Sequence, residues 1–134
     1  MKIDGGCHCG YITYEAEVDP EKASICHCTD CQKLTGTAFR TSIPAPDSAF
    51  RITGEPAIYI KTAESGGKRV QAFCPKCGSH IYATSPGEGP KVYNIRIGTA
   101  RQRDRLVPKK QIWCRSQQNW LGTISSIPRV EKQM

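Results

Sequence analysis

Seven of the eight cysteines lie in three short clusters, and their spacing is the strongest chemical signal in the sequence. Thiolate sulfur is a preferred zinc ligand, and cysteines a few residues apart can turn toward the same ion. Clusters of this kind therefore predict metal binding. The clusters are Cys7-His8-Cys9, Cys26-His27-Cys28-Thr29-Asp30-Cys31 and Cys74-Pro75-Lys76-Cys77, and the eighth cysteine is Cys114.

The clusters differ in the number of sulfurs that they offer. Cys74 and Cys77 form a Cys-x-x-Cys knuckle, which completes a tetrahedral four-cysteine site when a second two-cysteine cluster joins it. Cys26, Cys28 and Cys31 supply three sulfurs within six residues, which leaves a fourth coordination position open. Water or a substrate thiol can be deprotonated at such a position. We therefore expect one closed structural site and one open catalytic site.

Spacing alone leaves the assignment of the cysteines open. Cys114 is a candidate fourth ligand of the second cluster, which would give two closed sites and no open position. A disulfide framework is less favoured, because Cys-x-Cys pairs are difficult to bridge internally. Covalent haem attachment is excluded, since no Cys-x-x-Cys is followed by His. The three histidines, His8, His27 and His80, are predicted to support the sites or to lie at the surface rather than to bind metal.

The first residues of the chain favour metal over disulfides. Residues 1–6 lack the apolar stretch of a secretory signal, and no apolar run reaches membrane-spanning length. We therefore expect a cytoplasmic protein without membrane association. Thiols stay reduced and free to bind metal in such a compartment.

The formal net charge is +7, which raises the question of nucleic-acid binding. Seven thiolates around two Zn²⁺ ions would lower that charge by three, to about +4. We therefore expect no nucleic-acid partner, although a non-catalytic zinc-stabilised module that binds nucleic acid or protein, or a glutathione carrier, stays open as an alternative. The basic run at residues 101–105, with Lys109 and Lys110, is predicted to be a solvated loop or the basic neighbour of an anionic ligand.

Short strands dominate the secondary structure that the sequence predicts, as expected for one domain over residues 1–124 with a C-terminal tail at 125–134. Apolar and polar residues alternate over 11–18, which indicates a half-buried strand. Further strands are predicted at 39–43, 57–62, 68–73 and 93–97, with Gly66-Gly67 as a hairpin turn.

One helix is predicted, and it places Cys31 in its first turn. It runs from Asp30 to Thr35, with Thr29 as its N-cap, Gln32 in a capping-box position and Gly36 at its end. The helix N-terminus would favour the thiolate form of a nearby cysteine.

The cysteine motifs, in the order in which they occur, resemble those of one protein family. Cys-His-Cys-Gly at 7–10, Cys-His-Cys-x-x-Cys-Gln-Lys-x-Thr-Gly at 26–36, Phe-Cys-Pro-x-Cys-Gly-Ser-His at 73–80 and Ile-Trp-Cys-Arg-Ser at 112–116 are similar to the glutathione-dependent formaldehyde-activating enzyme family, also called the centromere protein V family. The resemblance covers residues 5–121. Gln111 stands where many members carry His.

The resemblance implies a fold, two zinc ions and a reaction. The fold is a β-tent of antiparallel sheets stapled by zinc. The family's reaction adds the thiol of glutathione to an aldehyde, formaldehyde, and so marks the chain as a carbon–sulfur lyase with glutathione as cosubstrate. By resemblance, a structural zinc maps onto Cys7, Cys9, Cys74 and Cys77, and a second, catalytic zinc maps onto Cys26, Cys28 and Cys31.

Overall fold

The computed structural model describes residues 1–133, which contain ten β-strands and one short α-helix. The predicted class, a mainly β fold of antiparallel sheets with one short helix, is confirmed. The helix α1 spans Thr29–Thr35. The strands are β1 (Lys2–Gly6), β2 (Thr13–Glu17), β3 (Ser24–Cys26), β4 (Arg40–Pro46), β5 (Phe50–Thr53), β6 (Ala57–Thr62), β7 (Lys68–Phe73), β8 (His80–Thr84), β9 (Val92–Arg96) and β10 (Lys110–Ile112).

The strands form two sheets. A three-stranded sheet has the order β1-β2-β5, and a seven-stranded sheet has the order β10-β3-β4-β9-β8-β7-β6. Neighbouring strands are antiparallel except β10 and β3, which pair in parallel. The two strands lie far apart in sequence, so no tight turn has to connect them and a parallel pairing is possible.

The core lies between the sheets and contains the residues that the alternation placed inside. Ile12, Tyr14, Ala16 and Val18 are buried, while Thr13, Glu15 and Glu17 are exposed. Isoleucines from the large sheet complete the core, and a buried isoleucine contributes about 1.5–3 kcal/mol. The fully buried ones there are Ile43, Ile81 and Ile95.

The hairpin of β6 and β7 matches the prediction in both its strands and its turn. Their register pairs Ala57 with Phe73 and Thr62 with Lys68. Gly66 adopts a φ of 90° in the connecting turn, a conformation that favours glycine.

Five strands were not predicted, because their residues show no clear alternation. β1 is one of them, and it ends in two glycines. A Cβ on Gly5 would lie 2.0 Å from the carbonyl oxygen of Thr99, so only glycine permits this approach between chain segments. β3, β5, β8 and β10 are the others, and each is three to five residues long.

The prediction for the start of the helix was wrong. The N-cap is Cys28 rather than Thr29, and its Sγ accepts the backbone N–H of Cys31 at 3.3 Å. Gln32 forms no capping box, since its side-chain amide donates to the carbonyl oxygen of His27 at 2.8 Å. The prediction for the end is confirmed, because Gly36 is the left-handed C-cap with a φ of 69°.

The C-terminal part carries a 3₁₀ helix at Asn119–Ser126, and residues 127–133 are exposed without regular structure. Across residues 1–133, none of the helices has the length and apolar character needed to cross a bilayer. The proposed limits of the domain at 124 and of the tail at 125 stay a prediction.

Candidate metal centres

The turn after β1 and the turn after β7 bring four sulfur atoms together. The ligand atoms of Cys7, Cys9, Cys74 and Cys77 all lie within 4.8 Å of one another. The Sγ atoms of Cys7 and Cys9 are 3.6 Å apart, and those of Cys9 and Cys74 are 3.7 Å apart. A tetrahedron with Zn–S bonds of about 2.3 Å has edges of about 3.8 Å. The four-sulfur cluster, as we call these residues, therefore fits a zinc ion.

Backbone N–H groups point at the sulfurs of this cluster. The N–H of Ile12 donates to the Sγ of Cys7 at 3.2 Å, and the N–H of Lys76 donates to the Sγ of Cys74 at 3.3 Å. Such bonds favour the charged thiolate over the thiol. Gly78, with a φ of 81°, closes the knuckle by donating its N–H to the carbonyl oxygen of Cys74 at 2.9 Å.

Cys77 and Cys9 of this cluster differ strongly in acidity when no cation compensates their thiolates. The hydroxyl of Ser79 and backbone N–H groups lower the pKa of Cys77 to about 5. The pKa of Cys9 is raised to about 11: the N–H of Tyr11 acts to lower it, but desolvation and the thiols of Cys7, Cys74 and Cys77 outweigh that effect. Four adjacent thiolates repel one another, and a divalent ion relieves this repulsion.

The second group, which we call the three-sulfur cluster, is assembled from one continuous stretch of chain. Cys26 ends β3, Cys28 caps α1, and Cys31 lies in the first turn of the helix. Their three sulfurs lie within 4.8 Å of one another. Among residues 1–133, no fourth Cys, His, Asp or Glu joins this group.

Cys26 and Cys31 of this cluster differ in acidity. A hydrogen bond from the Cys31 thiol lowers the pKa of Cys26. The same contact with Cys26, together with burial, raises the pKa of Cys31. Cys31 thus loses its proton less readily than Cys26, and a bound cation would favour the ionised form of both.

Strand β10 holds the three-sulfur cluster in place from the side. Ile112 pairs with Cys26, and its carbonyl oxygen accepts the N–H of His27 at 3.1 Å. The His27 ring is buried, 1% exposed, and its Nε2 lies 2.8 Å from the Oε1 of Gln111. His27 therefore supports the loop between two cysteines, and Gln111 occupies the position from which it orients that ring.

The remaining candidates lie outside both clusters. Cys114 is exposed and joins neither group, and neither group contains a histidine. The basic run is used in surface contacts: Arg101 pairs with Asp4 at 2.6 Å, and Lys109 lies 3.6 Å from Glu21. This geometry gives no support to the alternative of two closed sites.

Sequence reasoning missed two arginines that face the three-sulfur cluster. Arg40 on β4 pairs with Cys26 on β3, so the two side chains share one face of the large sheet. The charge of Arg40 opposes the increase in the pKa of Cys31, and Arg96 on β9 is close enough for Cys31 and Cys26 to affect its own pKa. Only the register of three strands reveals this arrangement.

Comparison with known proteins agrees with this arrangement of cysteines. Residues 2–116 match the family described as glutathione-dependent formaldehyde-activating enzyme. The chain belongs to this family. Both cysteine clusters and the strand that supports the second lie within the matched range.

Two individual proteins are similar to this family member. An uncharacterized lyase of Schizosaccharomyces pombe is 30% identical over 100 residues, which cover 69% of this chain and 66% of that protein. A crystal structure of a Rhodobacter sphaeroides protein has a TM-score of 0.59 at 21% identity, with 81% of this chain and 98% of that chain covered. The second likeness shows a shared fold.

A groove of about 430 Å³ opens beside the three-sulfur cluster of this family member. Two ion pairs line this groove: Lys61 with Asp30 at 3.0 Å, and Arg115 with Glu64 at 2.8 Å. The residues that line the groove include Cys28, Asp30, Lys61, Glu64, Trp113 and Arg115.

Trp113 follows β10 and forms part of the wall of the groove. It is the one non-glycine residue among 1–133 with a positive φ, 57°, and its ring lies 4.9 Å from the guanidinium of Arg115. A left-handed backbone costs about 1–2 kcal/mol at a residue with a side chain. Strain of this size is typical of binding sites, where the surrounding structure maintains it.

Proposed function

We propose that this protein is a zinc-dependent carbon–sulfur lyase that binds the thiol of glutathione at the three-sulfur cluster. It would form or cleave an S-hydroxymethyl adduct with formaldehyde, or a related thiol–aldehyde adduct. One observation carries the proposal: three cysteine sulfurs converge without a fourth protein ligand among residues 1–133. The description of the family and the lyase name of the Schizosaccharomyces pombe relative support the choice of reaction.

The chemistry of the donors supports zinc at both clusters. Cysteine thiolates are characteristic zinc ligands, whereas magnesium and calcium prefer oxygen. Cys7, Cys9, Cys74 and Cys77 would hold a structural ion, and Cys26, Cys28 and Cys31 would hold a catalytic one. When bound at the second cluster, zinc supplies the positive charge that keeps a substrate thiol ionised at neutral pH.

The reaction needs only a proton transfer and one new bond. The glutathione thiol loses its proton, and its sulfur lone pair forms a C–S bond to the aldehyde carbon. The carbonyl π electrons move to oxygen, which takes up a proton, so nothing is oxidised or reduced. The reverse reaction breaks the same bond, and either direction gains from holding the two reactants in a fixed orientation.

The groove beside Cys28 carries the charges that a glutathione molecule requires. Glutathione has two carboxylates and one ammonium group. Lys61 and Arg115 would receive the carboxylates, and Asp30 or Glu64, which now pair with these cations, would receive the ammonium. The groove volume of about 430 Å³ lies in the range of small-molecule sites.

Cobalt substitution tests the binding step. Cobalt replaces zinc at thiolate sites and absorbs visible light, so a new thiol ligand changes the spectrum. We expect glutathione to change the spectrum of the cobalt protein, and Cys28→Ser to abolish that change. We expect Arg115→Gln to weaken glutathione binding about tenfold without affecting 2-mercaptoethanol, which lacks carboxylates.

Turnover requires a separate measurement, since thiol and aldehyde also combine without a catalyst. Exchange spectroscopy with ¹³C-formaldehyde and glutathione should show faster adduct formation and cleavage with the zinc protein than with Cys31→Ser. Equal rates for both proteins, or a cobalt spectrum that no thiol alters, would refute the proposed function.

A further inference from the structure

Two guanidinium groups, one on a buried and one on a half-buried arginine, share one neutral acceptor next to the three-sulfur cluster. Arg40 donates from Nη1 to the Oε1 of Gln71 at 3.2 Å, and Arg96 donates from Nη2 to the same oxygen at 2.8 Å. Arg96 also donates to the Oγ of Ser42 at 2.8 Å. Arg40 and Gln71 are each only 4% exposed. We call Arg40 and Arg96 the arginine pair.

The arginine pair has no acidic partner. None of the ion pairs found among residues 1–133 includes either arginine, and no carboxylate is buried in this part of the chain. Three guanidinium nitrogens, Nε and Nη2 of Arg40 and Nε of Arg96, are buried without a hydrogen-bond partner. Buried charges are normally paired, because an unpaired one loses its hydration without compensation.

The surroundings respond to this positive charge. Burial lowers the pKa of Arg96 to about 9, and the charge of Arg40 acts in the same direction. Burial and both arginines lower the pKa of His80. The sulfurs of Cys31 and Cys26 act in the opposite direction on the pKa of Arg96, but they do not outweigh the lowering by burial. The three-sulfur cluster lies beside the arginine pair, because Arg40 pairs with Cys26 across β3 and β4 and its side chain shares their face of the sheet.

The charges of this region do not balance with three cysteines alone. Two guanidinium groups and a divalent ion carry four positive charges, and three thiolates carry three negative ones. One positive charge remains in a buried region. An anionic fourth partner brings the total to zero, whereas a neutral partner leaves it unchanged.

We propose that Arg40 and Arg96 are positioning residues that make the three-sulfur site select an anionic ligand, such as a thiolate, over a neutral one. This inference rests on the proposed function for the identity of the thiol, but it extends to any small anion. It also explains why two arginines share the amide oxygen of Gln71. A glutamate at that position would neutralise part of the charge that attracts the ligand.

The substitution Gln71→Glu separates this role from a structural one. It keeps the oxygen that accepts both guanidinium groups and adds one negative charge. We expect the zinc-loaded variant to resist urea better than the parent, because its buried arginines gain a charged partner. We also expect its affinity for anionic ligands to fall on the order of tenfold. Gln133→Glu makes the same charge change at an exposed position and should alter neither property.

The readout is ligand binding to the cobalt-loaded proteins, with glutathione and azide as anionic ligands and imidazole as the neutral one. We expect Gln71→Glu and Arg96→Gln to weaken the binding of both anions relative to that of imidazole. Arg96→Lys keeps the charge and should retain much of the preference for anions. A purely structural role predicts that Arg96→Lys and Arg96→Gln behave alike.

The ligands distinguish this inference from the proposed function. If glutathione binds the parent and Gln71→Glu leaves the ratio of anion to imidazole affinity unchanged, the inference is wrong and the function stands. If azide shows the expected dependence and glutathione does not bind, the inference stands and the function is wrong.

Discussion

The two cysteine clusters differ in how the chain assembles them. Cys9 and Cys74 are 65 residues apart in sequence, and their sulfurs meet only when β1 and β7, which belong to different sheets, are both in place. The three-sulfur cluster lies within six residues, from Cys26 to Cys31. Bringing distant residues together costs more conformational entropy than bringing near ones together. A metal ion that links distant residues therefore stabilises the fold more.

If the proposed function is correct, the position of the cysteines in the chain separates a structural from a chemical use of the same residue type. A cluster that joins two sheets must be complete to hold them. A cluster that is built on one loop and one helix turn can leave a position for a ligand, because its geometry is already set by Cys28 as the helix cap and by the pairing of β3 with β10.

The largest effect is expected from Cys74→Ser. Cys74 is fully buried and would bind the structural ion. Structural zinc contributes about 10–16 kcal/mol in small domains, which exceeds the total stability of most of them. We expect loss of the cooperative unfolding transition by circular dichroism. A folded Cys74→Ser protein would contradict the structural role of this cluster.

A smaller loss of stability is expected from Cys31→Ser. Zinc content should fall from two ions per chain to one, while the fold persists with a loss on the order of 1–3 kcal/mol. Metal analysis and urea unfolding of the same samples check both statements. If Cys31→Ser unfolds the protein as completely as Cys74→Ser, the two clusters do not differ in their contribution to stability.

Tyr14, on β2 beside β1, tests the stability of the small sheet at alkaline pH. Its hydroxyl lies 2.8 Å from the Oγ1 of Thr99, and burial raises its pKa from about 10 to about 12. The folded state thus disfavours the phenolate, so stability should fall as the pH rises from 10 towards 12, by about 3 kcal/mol in total.

The substitution Tyr14→Phe should remove this loss of stability at alkaline pH. At neutral pH we expect a loss of about 1 kcal/mol from the missing hydrogen bond. At about pH 11 and above the variant should become the more stable protein, since it has no group to ionise and the parent has by then lost more than about 1 kcal/mol. Urea unfolding of both proteins at pH 8 and pH 11 shows whether their order of stability changes. An equal difference in unfolding free energy at both pH values would argue that burial does not raise the pKa of Tyr14.

The smallest effect is expected from Cys114→Ser. Cys114 is exposed and belongs to neither cluster. We expect two zinc ions per chain, an unchanged cobalt spectrum and a change in stability below about 0.5 kcal/mol. Loss of one metal ion would show instead that Cys114 closes the second site, and the two clusters would then be alike.

The cysteine clusters, the family and most of the long strands can be predicted from the sequence alone. The buried alternation at residues 12–18 and the hairpin of β6 and β7 follow from local patterns, because side chains in a strand repeat every two residues. Gly36 ends the helix as predicted, since few other residues adopt its left-handed conformation.

The family resemblance, rather than the spacing, predicted which sulfurs meet, and the charges that face them become visible only in the folded protein. The pairing of residues 7 and 9 with 74 and 77, the supporting strand β10 and the arginine pair all depend on strand register. Register is set by packing across the whole core, which a linear pattern does not encode. The burial of Arg40 beside Cys26 is a property of the sheet, because it depends on the pairing of β4 with β3.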